Sequence, residues 1–164
     1  MKTIKAGIIG EIGTSVQVLP NEEKVLRAAA RAHLATGAAV NVHLEVGGRE
    51  GHRVLDILAE EGMALDRVIL SHLDQTLSDP DYHRTLMDRG DYIEYDTFGS
   101  EFYYDQWHTQ ERRDTERVAA VAALVRDGYA ERSARDQQPR ARAPCAGAEP
   151  SLRKKGHRGK YPGG

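Results

Sequence analysis

Short apolar runs alternate with amphipathic stretches four times between residues 6 and 128. That alternation predicts an α/β chain with a parallel sheet. Two further observations agree. The apolar runs begin roughly 25–33 residues apart, enough for a strand, a crossover helix and their loops. Each amphipathic stretch also closes on a glycine, namely Gly37, Gly62, Gly90 and Gly128. Glycine is the residue that most readily turns left-handed past a last helical turn. Four such units suit either half of an eight-stranded barrel or a small open sheet. A complete barrel takes about 250 residues, and this chain has 164.

The first run is AGIIGEI (6–12), and its helix is PNEEKVLRAAARAHLATG (20–37). Pro20 fits a first turn, which needs no amide hydrogen, and Glu22 and Glu23 complement the positive end of the helix dipole. Val25, Ala28, Ala29, Ala32 and Leu34 are expected broadly on the inward face. The second run is AAVNVHLEV (38–46). Its helix, roughly 49–61, should turn Val54, Leu55, Ile57 and Leu58 inward. The third run is RVILSHL (67–73), after which Asp79-Pro80 opens a helix with Leu86 and Met87 inward. The fourth is YIEYDTFG (92–99), followed by a loop with Tyr103, Tyr104 and Trp107. A last helix, roughly 110–127, is expected to bury Val118, Val121, Leu124 and Val125.

Beyond Arg132 the pattern fails. Residues 133–164 are rich in Arg, Pro, Ala and Gly and poor in large apolar side chains. They are expected to be a disordered tail behind a folded domain of residues 1–132. From residue 131 onward there are nine Lys/Arg against three acids, whereas the whole chain has a net charge of −2. The tail has neither aromatic interleaving nor helical periodicity, so a nucleic-acid partner is not expected. No run approaches a membrane span, and MKTIKAGIIGEIG lacks the long apolar stretch of a signal peptide. The expected location is cytoplasmic, with no membrane partner. One cysteine, Cys145, excludes an internal disulfide and a cysteine-based zinc finger.

Glu11 stands alone in its strand-like run of Gly and Ile. A buried carboxylate there is costly unless it is paired or bound to a cation. In parallel α/β folds functional groups gather where strands end. Glu11 lies near the end of the first strand, His43 near the end of the second and His72 at the end of the third. Two imidazoles and a carboxylate suit zinc, and one water would complete a four-coordinate set. The other histidines, His33, His52, His83, His108 and His157, are expected at the surface. Gly7, Gly10 and Gly13 lack the G-x-G-x-x-G spacing, and the helix starts only at Pro20, so a phosphate loop is not expected. Tyr103, Tyr104 and Trp107 either line a substrate pocket or pack onto their own helix.

Taken in order, AGIIGEIGTS, EEKVLRAAARAHLATG, a strand ending in His, RVILSHLDQT and YIEYDTFG resemble the phosphotriesterase-related family of the amidohydrolase superfamily. The resemblance runs through residues 5–132. It implies a partial TIM (β/α) barrel covering about the fourth to seventh strands. It also implies a hydrolase of small-molecule ester, lactone or phosphotriester bonds acting through a metal-activated water. By the same resemblance Glu11 matches the bridging carboxylate of some branches, while His43 and His72 match the histidines of the fifth and sixth strands. Asp74 and Asp96 match acids that support the metal ligands, and Thr97 stands where one branch has a proton-shuttling histidine. The family's His-x-His pair is absent, and no apolar run ending in Asp follows Arg132. The expectation is therefore one zinc where the family holds two. It includes self-association of a half-barrel, and the alternative of a non-catalytic metal-binding remnant or assembly partner. A shifted reading frame after Arg132 would account for the tail.

Overall fold

A computed structural model describes residues 6–105 and 108–133. Four parallel strands form one sheet in sequence order: β1 (Ile8–Gly13), β2 (Ala39–His43), β3 (Val68–Ser71) and β4 (Tyr92–Ile93). The helices are α1 (Pro20–Thr36), α2 (Gly51–Glu60), α3 (Pro80–Met87) and α4 (Asp114–Leu124), the last continued by a π-turn and α5 (Ala130–Ser133). A small antiparallel ribbon of β5 (Tyr103–Tyr104) and β6 (Thr109–Gln110) stands between β4 and α4. Side chains alternate across a strand, so Val40, Val42, Val68, Leu70 and Ile93 share one face of the sheet. They are buried with Leu26, Ala30, Val54, Leu55, Leu58, Leu86 and Met87 from the helices. The main core therefore lies between sheet and helices. The opposite face, carrying Asn41, Ser71 and Glu94, is the inner wall of an incomplete barrel.

Two of the expected helices keep their faces, although α3 ends at Met87, before Gly90. Helix α2 buries Val54, Leu55, Ile57 and Leu58. Helix α3 starts at Pro80 behind Asp79, whose carboxylate accepts the Tyr82 amide at 3.2 Å, and it buries Leu86 and Met87. The two helices meet at Gly51, where an added Cβ would lie 2.6 Å from the Tyr82 hydroxyl and 3.0 Å from Leu86.

The face of α1 differs from expectation. Leu26, Ala29, Ala30 and His33 are buried, at i, i+3, i+4 and i+7. Val25 and Leu34 are about half exposed, Ala28 is exposed and Ala32 is half-buried. His33 is the cause: its Nδ1 donates to the Ala38 carbonyl at 2.7 Å, which lets a polar residue occupy the core stripe. His83 also departs from a surface placement. It is buried, with Nδ1 2.6 Å from the Tyr95 hydroxyl and Nε2 2.7 Å from Thr76 Oγ1. His52 is half-buried and His108 exposed, while His157 lies outside the described residues.

Helix α4 starts four residues later than expected. Leu124 is buried as anticipated and Val121 is half-buried, but Val118 and Val125 are exposed. Arg117 takes the innermost position instead. Trp107 and residues 134–164 lie outside the described residues.

Candidate metal centre

Three strand tips converge. His43 is the last residue of β2, and His72 follows β3 directly. In β1 the register against β2 shifts between Ile9 and Ile12. Gly10 permits this close passage, since a Cβ there would lie 2.6 Å from the Asn41 carbonyl oxygen. The bulge brings Glu11 to the histidines, and on this outermost strand its carboxylate is exposed rather than buried as expected. Glu11 Oε1 is 3.2 Å from His72 Nε2 and 3.5 Å from His43 Nδ1, and the two ring nitrogens are 2.8 Å apart. These three side chains offer one ligand atom each, all within 4.8 Å of one another.

The donor set fits a divalent cation. Ligand atoms about 2.0–2.1 Å from a tetrahedral zinc stand about 3.3 Å from each other, close to the two distances from Glu11. The 2.8 Å contact between nitrogens is shorter and has the length of a hydrogen bond.

His72 is prepared for such a role. Its backbone is left-handed, with φ 67°, so the strand stops at Ser71 and a 3₁₀ turn (Leu73–Thr76) begins. Asp96 Oδ1 accepts both the His72 amide at 3.2 Å and His72 Nδ1 at 3.0 Å. A carboxylate on Nδ1 fixes the tautomer and leaves the Nε2 lone pair facing the site. On the sheet's inner face Glu94 Oε2 accepts from Ser71 Oγ at 2.7 Å and from Asn41 Nδ2 at 3.1 Å.

Behind His72 lies a second polar group. Asp74 is fully buried, and its Oδ2 accepts from Arg117 Nε at 2.7 Å and from the Thr97 amide and hydroxyl. Its Oδ1 is buried without a hydrogen bond among the described residues. Arg117, also fully buried, donates to Thr97 Oγ1, Asp114, Glu111 and the Arg112 carbonyl as well. The Thr97 hydroxyl is therefore engaged both as donor and as acceptor. Sequence reasoning missed Arg117, Glu94, Asn41 and Ser71. The only signal for Arg117 was its i, i+7 relation to Leu124. Tyr103 is half exposed on β5, and Tyr104 stacks edge-on against Phe102 with centroids 5.2 Å apart.

Comparison with known proteins follows the same lines. The model of the phosphotriesterase family matches residues 2–146. N-acetyltaurine hydrolase of Xenopus tropicalis is 35% identical over 131 residues, covering 79% of this chain and 38% of the relative. The Homo sapiens protein of the same name is 36% identical over 132 residues, again covering 79% and 38%. The crystal structure of a resiniferatoxin-binding protein from Rhodobacter sphaeroides superposes with a TM-score of 0.74 at 42% identity, over 77% of this chain and 36% of that one. The phosphotriesterase homology protein of Escherichia coli, complexed with phosphate in its active site, gives 0.68 at 38% identity, over 79% and 42%. The chain thus spans well under half the length of these relatives. The alternating units, their parallel order and this family match lead to one conclusion: the chain belongs to the phosphotriesterase family.

Proposed function

We propose that the chain is the metal-binding portion of a hydrolase that cleaves small-molecule acyl bonds, with zinc held by Glu11, His43 and His72. One observation carries the reading. Glu11 Oε1, His43 Nδ1 and His72 Nε2 lie within 3.5 Å of one another, and Asp96 holds His72 Nδ1 from behind. A divalent cation there supplies Lewis acidity toward a carbonyl or phosphoryl oxygen and makes water a better nucleophile near neutral pH. The protein's own part is to orient and to balance charge. Glu11 brings a negative charge to the site, and Asp96 keeps the His72 ring in one orientation.

The relatives and Thr97 support a substrate class. N-acetyltaurine hydrolases act on an amide, so a small amide, ester or lactone is the expected substrate. Activated phosphotriesters should be poor ones, because the Thr97 hydroxyl is spent on Asp74 and Arg117 and is not free to relay a proton. A second reading is a metal-binding module without activity of its own, since the described residues supply four strands of a barrel that closes with eight. The expected location is cytoplasmic; among the described residues no helix is long and apolar enough to cross a membrane.

Metal analysis after dialysis tests the site. One zinc per chain is expected. It should be nearly abolished in His43→Ala and His72→Ala and weakened in Glu11→Gln. Two zincs per chain, or one that survives both histidine substitutions, would show that the site lies elsewhere. Hydrolysis of N-acyl and lactone substrates by the zinc-loaded chain, set against His72→Ala, then separates the enzyme from the inactive module.

A further inference from the structure

We propose that Arg117 is a positioning residue for the metal centre, fixing His72 from α4 through Asp74 and Thr97. The inference rests on the reading of Glu11, His43 and His72 as metal ligands. The position of Arg117 is unusual for its type. It belongs to the helix after the fourth strand, yet its guanidinium is fully buried behind the tips of the third and fourth strands. Its donors go to separate acceptors in three directions. Nε reaches Asp74 at 2.7 Å, Nη2 reaches Thr97 Oγ1 at 2.7 Å and Glu111 at 3.3 Å, and Nη1 reaches the Arg112 carbonyl at 2.6 Å and Asp114 at 2.9 Å.

The two acceptors that matter are one step from the site. Asp74 is two residues past His72, and Thr97 directly follows Asp96, which holds His72 by both its amide and its ring. Thr97 is itself tied to Asp74 through its amide and its hydroxyl. The segments after β3 and β4 are thus cross-linked on a single cation. His72 needs such a hold, because a left-handed conformation is disfavoured for a residue with a Cβ and persists where its surroundings impose it. A lysine could not replace the fork. Its donors radiate from one atom, whereas these acceptors lie on different edges of a planar group. Removing the cation would also leave the Asp74 carboxylate buried and uncompensated.

A purely structural Arg117 would support the fold evenly, whereas a positioning role predicts local loosening at the site. The test uses the full chain with Thr97→Val and Arg117→Lys, and Arg84→Met as a control that removes surface ion pairs with Asp81 and Asp127. Amide hydrogen exchange is measured without metal. Cobalt affinity is measured by competition with a chromophoric chelator, together with the cobalt d–d spectrum. Thr97→Val should speed exchange at positions 72 and 97 by about tenfold or more while Val42 and Leu70 keep wild-type protection. Cobalt affinity should fall about 10–100-fold, as for other groups that hold a ligand in place. Arg117→Lys should do the same or worse, and Arg84→Met should change neither. If Arg117→Lys does not fold, Thr97→Val decides alone. Unchanged exchange at positions 72 and 97 in Thr97→Val, or acceleration spread equally over the strands, would overturn the proposal. A wild-type chain that takes up no cobalt would remove the metal reading instead, and the exchange result would still judge Arg117.

Discussion

His83 shows how much one side chain's surroundings decide. The Thr76 hydroxyl donates to the Leu73 carbonyl at 2.8 Å, so its oxygen is left to accept from His83 Nε2, and Nδ1 in turn accepts from Tyr95. The ring is therefore neutral, with its proton on Nε2. Burial lowers its pKa to about 4 from the ordinary 6.5 and raises that of Tyr95. The sign of the linkage follows. Between these two values the unfolded chain binds a proton that the folded chain refuses, so stability rises with pH there. The contribution is complete above about 6.5 and is lost as pH falls toward 4. Its ceiling is about 3 kcal/mol. Replacing His83 with Gln, which keeps a hydrogen-bonding side chain but does not titrate, should flatten the pH dependence of urea midpoints across that window. An undiminished slope in His83→Gln would place the titration elsewhere. In the sequence His83 read as a surface residue, because nothing in the letters shows that a tyrosine twelve residues later meets its ring.

At the scale of elements, legibility followed the caps and the purity of each apolar stripe. Helices α2 and α3 carry Ile, Leu, Val and Met in clean helical spacing, and their faces were readable. Helix α1 carries five alanines among its apolar residues, and alanine sits as easily outside as inside. The true stripe passes through His33, so counting apolar residues rotated the face toward Val25 and Ala28. Helix α4 failed for the same kind of reason, since a charged residue at the inner position reads as solvated. The contact of α2 with α3 offers a test at this scale. Gly51→Ala adds a methyl 2.6 Å from the Tyr82 hydroxyl and 3.0–3.1 Å from both Leu86 methyls. Alanine gains up to about 1 kcal/mol in helix propensity, but overpacking a close contact costs about 1–3 kcal/mol. The net effect should be destabilising, read as a lower urea midpoint at unchanged slope. A stabilised variant would mean that α2 and α3 separate freely.

For the whole molecule the governing fact is a parallel sheet that, among the described residues, has four strands with β1 and β4 outermost. Apolar side chains sit uncovered on the helices at both ends, with Val25 at 49% exposure on α1 and Val118 at 58% on α4. Open edges and apolar flanks favour association. Light scattering behind a sizing column should show mass rising with concentration, and Val25→Glu with Val118→Glu should shift it toward monomer. A monodisperse wild-type monomer would contradict this. The partial barrel was legible because βα spacing and strand-tip residues are local signals. Which helix flank would stand bare was not, since that depends on neighbours beyond the four units. The layer of Asn41, Ser71 and Glu94 then sets a condition on whatever closes the inner wall. Both hydrogen bonds to the Glu94 carboxylate among the described residues fall on Oε2. A greasy surface laid over this wall would dehydrate a carboxylate and give it nothing in return. A cover that presents a cation or a hydrogen-bond donor at that depth would compensate the Glu94 carboxylate instead.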